Sequence, residues 1–304
     1  MHFALISKIL GLLLVVFSFT MMPPVAVSYW YQEGSEGPFL VSFVITLLLG
    51  LALWLPFFKH KEELQTRDGF LVVTLFWSVL GLIGALPLYI SNDVPVGFTD
   101  AVFESMSGLT TTGATILSGI DFLPKSILFY RQQLQWLGGM GVVVLAVAIL
   151  PMLGVGGMQL YKAEIPGPMK DAKLTPRIAE TAKALWLLYL FITVACAVLY
   201  WAAGMTIFDA ICHSFSTVAT GGFSTHDASM AYWDNPWIDW TATLFILIGG
   251  VNFALHFAVW RGRSLIAYIL DPEFRFFMTL FLLYTGLITV GLLAFEVDVT
   301  ADDA

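Results

Sequence analysis

Residues 98–115 read FTDAVFESMSGLTTTGAT, and residues 207–224 read IFDAICHSFSTVATGGFS. A shift of 109 positions lays Asp100 on Asp209, Ala101 on Ala210 and Ser105 on Ser214. The same shift lays Ser107 on Ser216, Thr111 on Thr220 and Gly113 on Gly222. Each copy begins as a short helix-compatible segment and runs into threonines and glycine, which disfavour helix through their β-branching and backbone freedom. Apolar runs long enough to cross a bilayer flank both copies. A membrane accepts non-helical backbone at depth only where protein buries it or where it lines a watery path. The repeated segment therefore reads as a re-entrant pore loop, and the permeant species as a cation.

Working outward, the composition fits that setting. Hydrophobic residues make up 58% of the chain and charged residues 12%, far from soluble averages. The expected fold class is an all-α polytopic membrane protein. Seven spans are expected, at about 6–27, 39–58, 69–90, 127–150, 184–203, 240–260 and 276–295, with the pore segments after the third and fifth. The first run resembles a signal peptide in its Lys8 and in the Val-Ala-Val-Ser that follows, but it is long for such a segment and another span follows at once, so it is read as a retained helix. The expected organisation is a two-span N-terminal region (1–67), a first span–pore–span unit (68–157) and a linker (158–183). A second unit (184–263) and the opening of a third (264–304) follow.

Charge placement orients the chain. Basic residues cluster at 59–67, 158–183 and 261–275, which share one side only if each pore segment re-enters. That side is read as cytoplasmic, together with the N-terminus. The other side carries Glu33, Glu36, Asp93, Asp100, Glu104, Asp121, Asp209, Asp227, Asp234 and Asp239. Of these, Glu104, Asp121 and Asp227 are candidates for an outer vestibule that concentrates cations.

A dehydrated cation needs oxygen ligands in place of its hydration shell. Thr110–Ala114 and Ala219–Phe223 can supply carbonyls and hydroxyls, and a helix ending there points its negative end at the ion. Each segment has one glycine at the aligned position where familiar potassium channels have two within TVGYG. Looser discrimination between potassium and sodium is the expectation.

The pattern FxDAxxxSxSxxxTTG, together with WLGGMGVVVLAVAILP at 136–151, resembles the Trk/Ktr/HKT superfamily of potassium transporters, within it the bacterial TrkH subunits. The two extra N-terminal spans fit as well. The resemblance implies four fused units around a pseudo-fourfold pore, each giving one filter strand. It implies Thr111, Thr112, Thr220 and Gly221 as potassium ligands, supported by Thr110, Gly113 and Gly222. It also implies potassium uptake across the bacterial inner membrane, a homodimer, and a TrkA-like cytoplasmic subunit that binds nucleotide and gates the pore. By the same comparison, the sequence reaches Ala304 where the third pore helix is due. Two strands cannot encircle an ion, so residues 1–304 alone are expected to give no potassium-selective uptake.

Other readings stay in view. An ion-coupled symporter and a non-conducting accessory subunit are alternatives. A membrane-embedded hydrolase or transferase using His213, His226 and Asp227 is another, but these residues flank only the second copy. His213 takes the register position of Glu104 and is read as a pore-helix residue satisfied by neighbours. Arg131 either snorkels from a span end or, with Gln132, Gln133 and Gln135, faces other units. Gly138, Gly139 and Gly141 can form a close packing surface or a hinge, and are read as packing. Cys196 and Cys212 lack metal or redox spacing. No nucleotide, nucleophile-elbow or zinc-protease motif occurs, so no enzyme activity, bound cofactor or nucleic-acid partner is expected of this chain, and the only ion is the permeant potassium.

Overall fold

The chain, seen in a computed structural model, is described over residues 2–60, 66–139, 141 and 178–294, which are mainly helical with no strand among them. The first span joins α1 (Phe3–Ser18) to α2 (Met22–Tyr31) through a tight turn at Phe19–Met21. Proline in the first turn of α2 loses no hydrogen bond there, because that N–H has no helical acceptor. The prolines therefore do not end the span, which continues to Tyr31.

The second span, α3 (Glu36–Trp54), crosses α1 where Gly11 meets Gly50. A Cβ at Gly11 would lie 2.7 Å from the Gly50 carbonyl oxygen, and one at Gly50 would lie 2.8 Å from that of Gly11. Close backbone approach at paired small residues is how helices associate without a hydrophobic driving force.

The third span combines α4 (Thr66–Gly84) with α5 (Leu86–Ile90). Gly81 and Gly84 on α4 receive the first pore helix, α6 (Phe98–Leu109): added Cβ atoms would come 2.1 Å from Met106 Sδ and 2.5 Å from Ser105 Oγ. Twelve residues of α6 reach only about 18 Å, short of a bilayer crossing, so the segment must turn back. α7 (Lys125–Gly139) follows, and its first N–H groups are held by a carboxylate from the N-terminal region. Glu33 accepts from Lys125 N–H at 2.6 Å and Ser126 N–H at 3.1 Å. The rest of the expected fourth span and residues 158–177 of the linker lie outside the described residues.

The final part of the expected linker is helical, since α8 runs from Ile178 to Ala202. It leads to the second pore helix, α9 (Ile207–Val218), and then to α10 (Pro236–Gly250). α7 packs against both pore helices.

Contacts divide the chain into Met1–Gly249 and Gly250–Ala304. The C-terminal part contains α11 (Phe253–Gly262), α12 (Ile266–Leu270) and α13 (Pro272–Ala294). His256 on α11 hydrogen-bonds the Tyr268 hydroxyl at 2.6 Å. The unbroken sixth span expected over 240–260 is corrected: one helix stops at Gly250 and another starts at Phe253. The Gly249–Gly250 pair weakens helix there, and the Asn252 carbonyl begins the next turn by accepting from Leu255 N–H at 2.9 Å.

Among the described residues, five helical segments are long and apolar enough to cross a membrane: Phe3–Tyr31, Glu36–Phe57, Leu71–Ile90, Lys183–Ala202 and Pro272–Ala294. The protein is a multi-pass membrane protein.

Candidate ion-filter site

Both pore helices end in the same turn. In the first, Thr112 N–H donates to Ser107 O at 2.9 Å and Thr111 N–H to Gly108 O at 3.0 Å. In the second, Gly221 N–H donates to Ser216 O at 2.8 Å and Thr220 N–H to Thr217 O at 3.0 Å. This paired pattern is the Schellman motif, whose left-handed residue is ordinarily glycine. Here it is Thr111 and Thr220, each at φ +54°. A β-branched residue in that region is strained by about 1–3 kcal/mol, a cost that structures keep where geometry serves a site. Two residues on, Gly113 and Gly222 again have positive φ, +77° and +92°. The duplicated sequence thus yields a duplicated backbone.

Thr110, Thr112, Thr220 and Gly222 are exposed along the two strands, Thr111 and Gly113 are half-buried, and Gly221 is buried. The strands meet directly: a Cβ on Gly113 would lie 1.9 Å from the Gly221 carbonyl oxygen. Thr110 Oγ1 donates to Met106 O at 2.7 Å and lies 2.8 Å from Thr112 Oγ1, so these hydroxyls form one polar edge. The carbonyl ends of α6 and α9 finish at this edge, placing their negative dipole ends beside it. Gly138, Gly139 and Gly249 let α7 and α10 approach these ends. Their added Cβ atoms would fall 1.9 Å from Leu109 O, 2.6 Å from Ala219 Cα and 2.6 Å from Val218 O. At positions 138, 139 and 249, glycine serves close packing.

Behind the strands lies a buried ion pair. Arg131 and Glu104 are 0% and 1% exposed, with Nε donating to Oε1 at 2.7 Å. Glu104, expected in the outer vestibule, is therefore corrected to an interior position. Its carboxylate instead fixes the strand leaving the first filter: Thr115 Oγ1 donates to it at 2.9 Å and Ile116 N–H at 3.2 Å. Arg131 does not snorkel. Its Nη2 reaches Thr115 Oγ1 at 3.0 Å and its Nη1 reaches Ser224 O, in the second copy, at 3.2 Å.

The second copy replaces this pair with His213, which is 0% exposed. Its Nδ1 must donate to the Asp209 carbonyl at 3.0 Å, which leaves Nε2 to accept from Ser224 Oγ at 3.1 Å. The resulting Ser224–His213 contact has the makings of a nucleophile and base, yet both residues are buried, at 7% and 0% exposure, and no substrate can reach them. His213 is satisfied by neighbours. Among the described residues, no group of three or more His, Cys, Asp or Glu is placed to hold a metal ion.

Asp121 and Asp227 do lie toward the surface. His226 Nδ1 donates to Asp121, and the Asp227 N–H reaches Asp121 Oδ2 at 3.1 Å, linking the loops that follow the two filters. The hydrogen bond from His226 holds the Asp121 carboxyl below its ordinary value. A depressed carboxylate adds stability that is complete above the ordinary value near 3.8 and is lost as pH falls through the lowered one. Asp121→Asn is accordingly expected to lower the thermal midpoint in detergent at neutral pH, with the gap closing in acid. A gap of constant size down to about pH 2 excludes this charge as its source.

A family model described as "TrkH: Cation transport protein" matches residues 37–302. The Trk system potassium uptake protein TrkH of Halomonas elongata is 59% identical over 290 residues, covering 95% of this chain and 60% of that protein. Escherichia coli TrkG is 44% identical over 277 residues, covering 91% of this chain and 57% of the relative. The crystal structure of the potassium transporter TrkH from Vibrio parahaemolyticus superposes with a TM-score of 0.86 at 51% identity, covering 99% of this chain and 61% of that one. The chain spans about three fifths of the length of these relatives.

Proposed function

Because the chain belongs to the TrkH family of cation transport proteins, we propose that it supplies two of the filter strands of a potassium-uptake pore in the bacterial inner membrane. The observation that carries this reading is the filter turn built twice in register, with threonine at φ +54° and glycine at positive φ two residues later. In the proposed pore, Thr111, Thr112, Thr220 and Gly221 offer oxygens to a dehydrated potassium ion. Thr110, Gly113 and Gly222 set the backbone that aims them, and the ends of α6 and α9 add negative potential at the ion. Asp121 and Asp227 add negative charge at the outer approach. Transport is passive, through a pore-forming subunit that works as a homodimer and is gated from the cytoplasm by a TrkA-like nucleotide-binding partner. This chain itself binds no cofactor.

The test is rubidium uptake by a potassium-uptake-deficient bacterial strain expressing the full-length polypeptide. Selective uptake that follows the potassium gradient alone supports the reading, and dependence on a sodium or proton gradient replaces it with symport.

The proposed orientation puts the N-terminus and the basic connections in the cytoplasm. With the buried Cys196 and Cys212 replaced, a cysteine at Phe122, whose side chain is 92% exposed, is expected to react with an impermeant maleimide in intact cells. One at Lys59 is expected to react only after lysis. Labelling of position 59 in intact cells overturns the topology.

A further inference from the structure

The second filter strand is held by groups that it does not itself provide. Gly221 and Gly222 have no side chains, so their peptide planes must be oriented by neighbours. Two buried side chains of α7, in the first unit, hold the peptides that follow: Gln135 the one between Gly222 and Phe223, and Arg131 the one between Ser224 and Thr225. Gln135 Oε1 accepts from Phe223 N–H at 3.0 Å, and its amide lies so close to Gly221 that an added Cβ there would be 2.4 Å from Gln135 Cδ. Arg131 Nη1 donates to Ser224 O at 3.2 Å, and its guanidinium sits 4.4 Å above the Phe223 ring. One bond fixes an N–H and the other a C=O on the two residues immediately after Gly222. Both side chains are 0% exposed, so no water competes for these bonds.

The brace is not part of the duplicated design. The shift of 109 that superimposes the filters puts Trp240 and Leu244 in these positions, and both are exposed apolar residues, at 70% and 50%. Leu244 has no polar atom and Trp240 only a donor, so neither repeats the acceptor of Gln135.

We infer that Arg131 and Gln135 are positioning residues for the second filter strand, and that through it they set the discrimination between potassium and sodium. This rests on the filter reading above. The side chains touch no ion; they act by holding the carbonyls at a spacing that suits the larger cation.

The decisive variant is Gln135→Met in the full-length protein, which keeps the side-chain length and removes the acceptor. Rubidium and sodium uptake are measured in the same cells and normalised to the protein recovered from the membrane. The ratio of rubidium to sodium uptake is expected to fall about tenfold, the scale of one lost buried hydrogen bond. A purely structural role lowers both fluxes together, so an unchanged ratio overturns the inference. Should Gln135→Met fail to accumulate, the paired variant Arg131→Gln with Glu104→Gln, which removes both buried charges at once, decides by the same ratio. Wild-type protein that takes up no rubidium overturns the proposed function itself. Selective wild-type uptake with an unchanged ratio in the variant overturns this inference alone.

Discussion

Gly113→Ser is expected to lower the ratio of rubidium to sodium uptake by about ten- to hundredfold, the equivalent of one to a few kcal/mol of lost discrimination. Two penalties combine at this position. The backbone angle, φ +77°, is one that serine adopts only under strain. The new Cβ also meets a backbone atom, the Gly221 carbonyl oxygen, at 1.9 Å. A backbone oxygen cannot swing away like the end of a flexible side chain, so one strand must move by more than an ångström. Gly222→Ser is expected to do less. Its φ of +92° carries the same strain, but a Cβ there meets nothing within 4 Å. Paired rubidium and sodium uptake at matched expression measures both variants. Equal effects would show that backbone angle alone matters, and no effect at Gly113 would remove it from the filter.

Glu104→Ala is expected to cost about 3–5 kcal/mol of stability, because it leaves the buried Arg131 guanidinium without its counter-charge. Little folded protein should survive extraction. Adding Arg131→Met on top of Glu104→Ala should recover most of the loss, since a pair removed together leaves no stranded charge. Thermal unfolding of the detergent-solubilised single and double variants checks this. A double variant as unstable as the single one would mean that Thr115, Ile116 and Ser224, rather than the charge, carry the effect.

Much of this architecture is legible in the residues. Apolar run length marks the spans, and the register of Ser105 with Ser214 and Gly113 with Gly222 marks the pore loops. Identical φ at Thr111 and Thr220 shows that the repeat specifies backbone as well as composition. Glu104 is misplaced by sequence because its neighbours in the chain, Asp100 and Asp121, are acids read from charge placement as facing outside. Its burial depends on a partner 27 residues away, which no local pattern signals. Arg131 is ambiguous for the same reason: a cation near a helix end can reach water or a carboxylate, and only the packing of α7 between α6 and α9 decides. The glutamines at 132, 133 and 135 did signal a polar helix face. What they could not show is that Gln135 serves the second filter while Gln133 turns to Thr20 O, at 2.9 Å. The break after Gly250 had a signal in its glycine pair, outweighed by the apolar length around it.

The contact between Arg131 and Ser224 also bears on how the chain is made. The two residues are 93 positions apart, so at ribosomal rates of about 5–20 residues per second the arginine waits several seconds for its second-copy acceptor. Glu104 precedes it by only 27 positions and is already available to neutralise it. The first copy can therefore mature alone, and the second is cast against it as it emerges. Biogenesis is directional as a result: damage to the first copy should spoil both, whereas damage to residues 221–224 should leave the earlier helices assembled and protease-resistant.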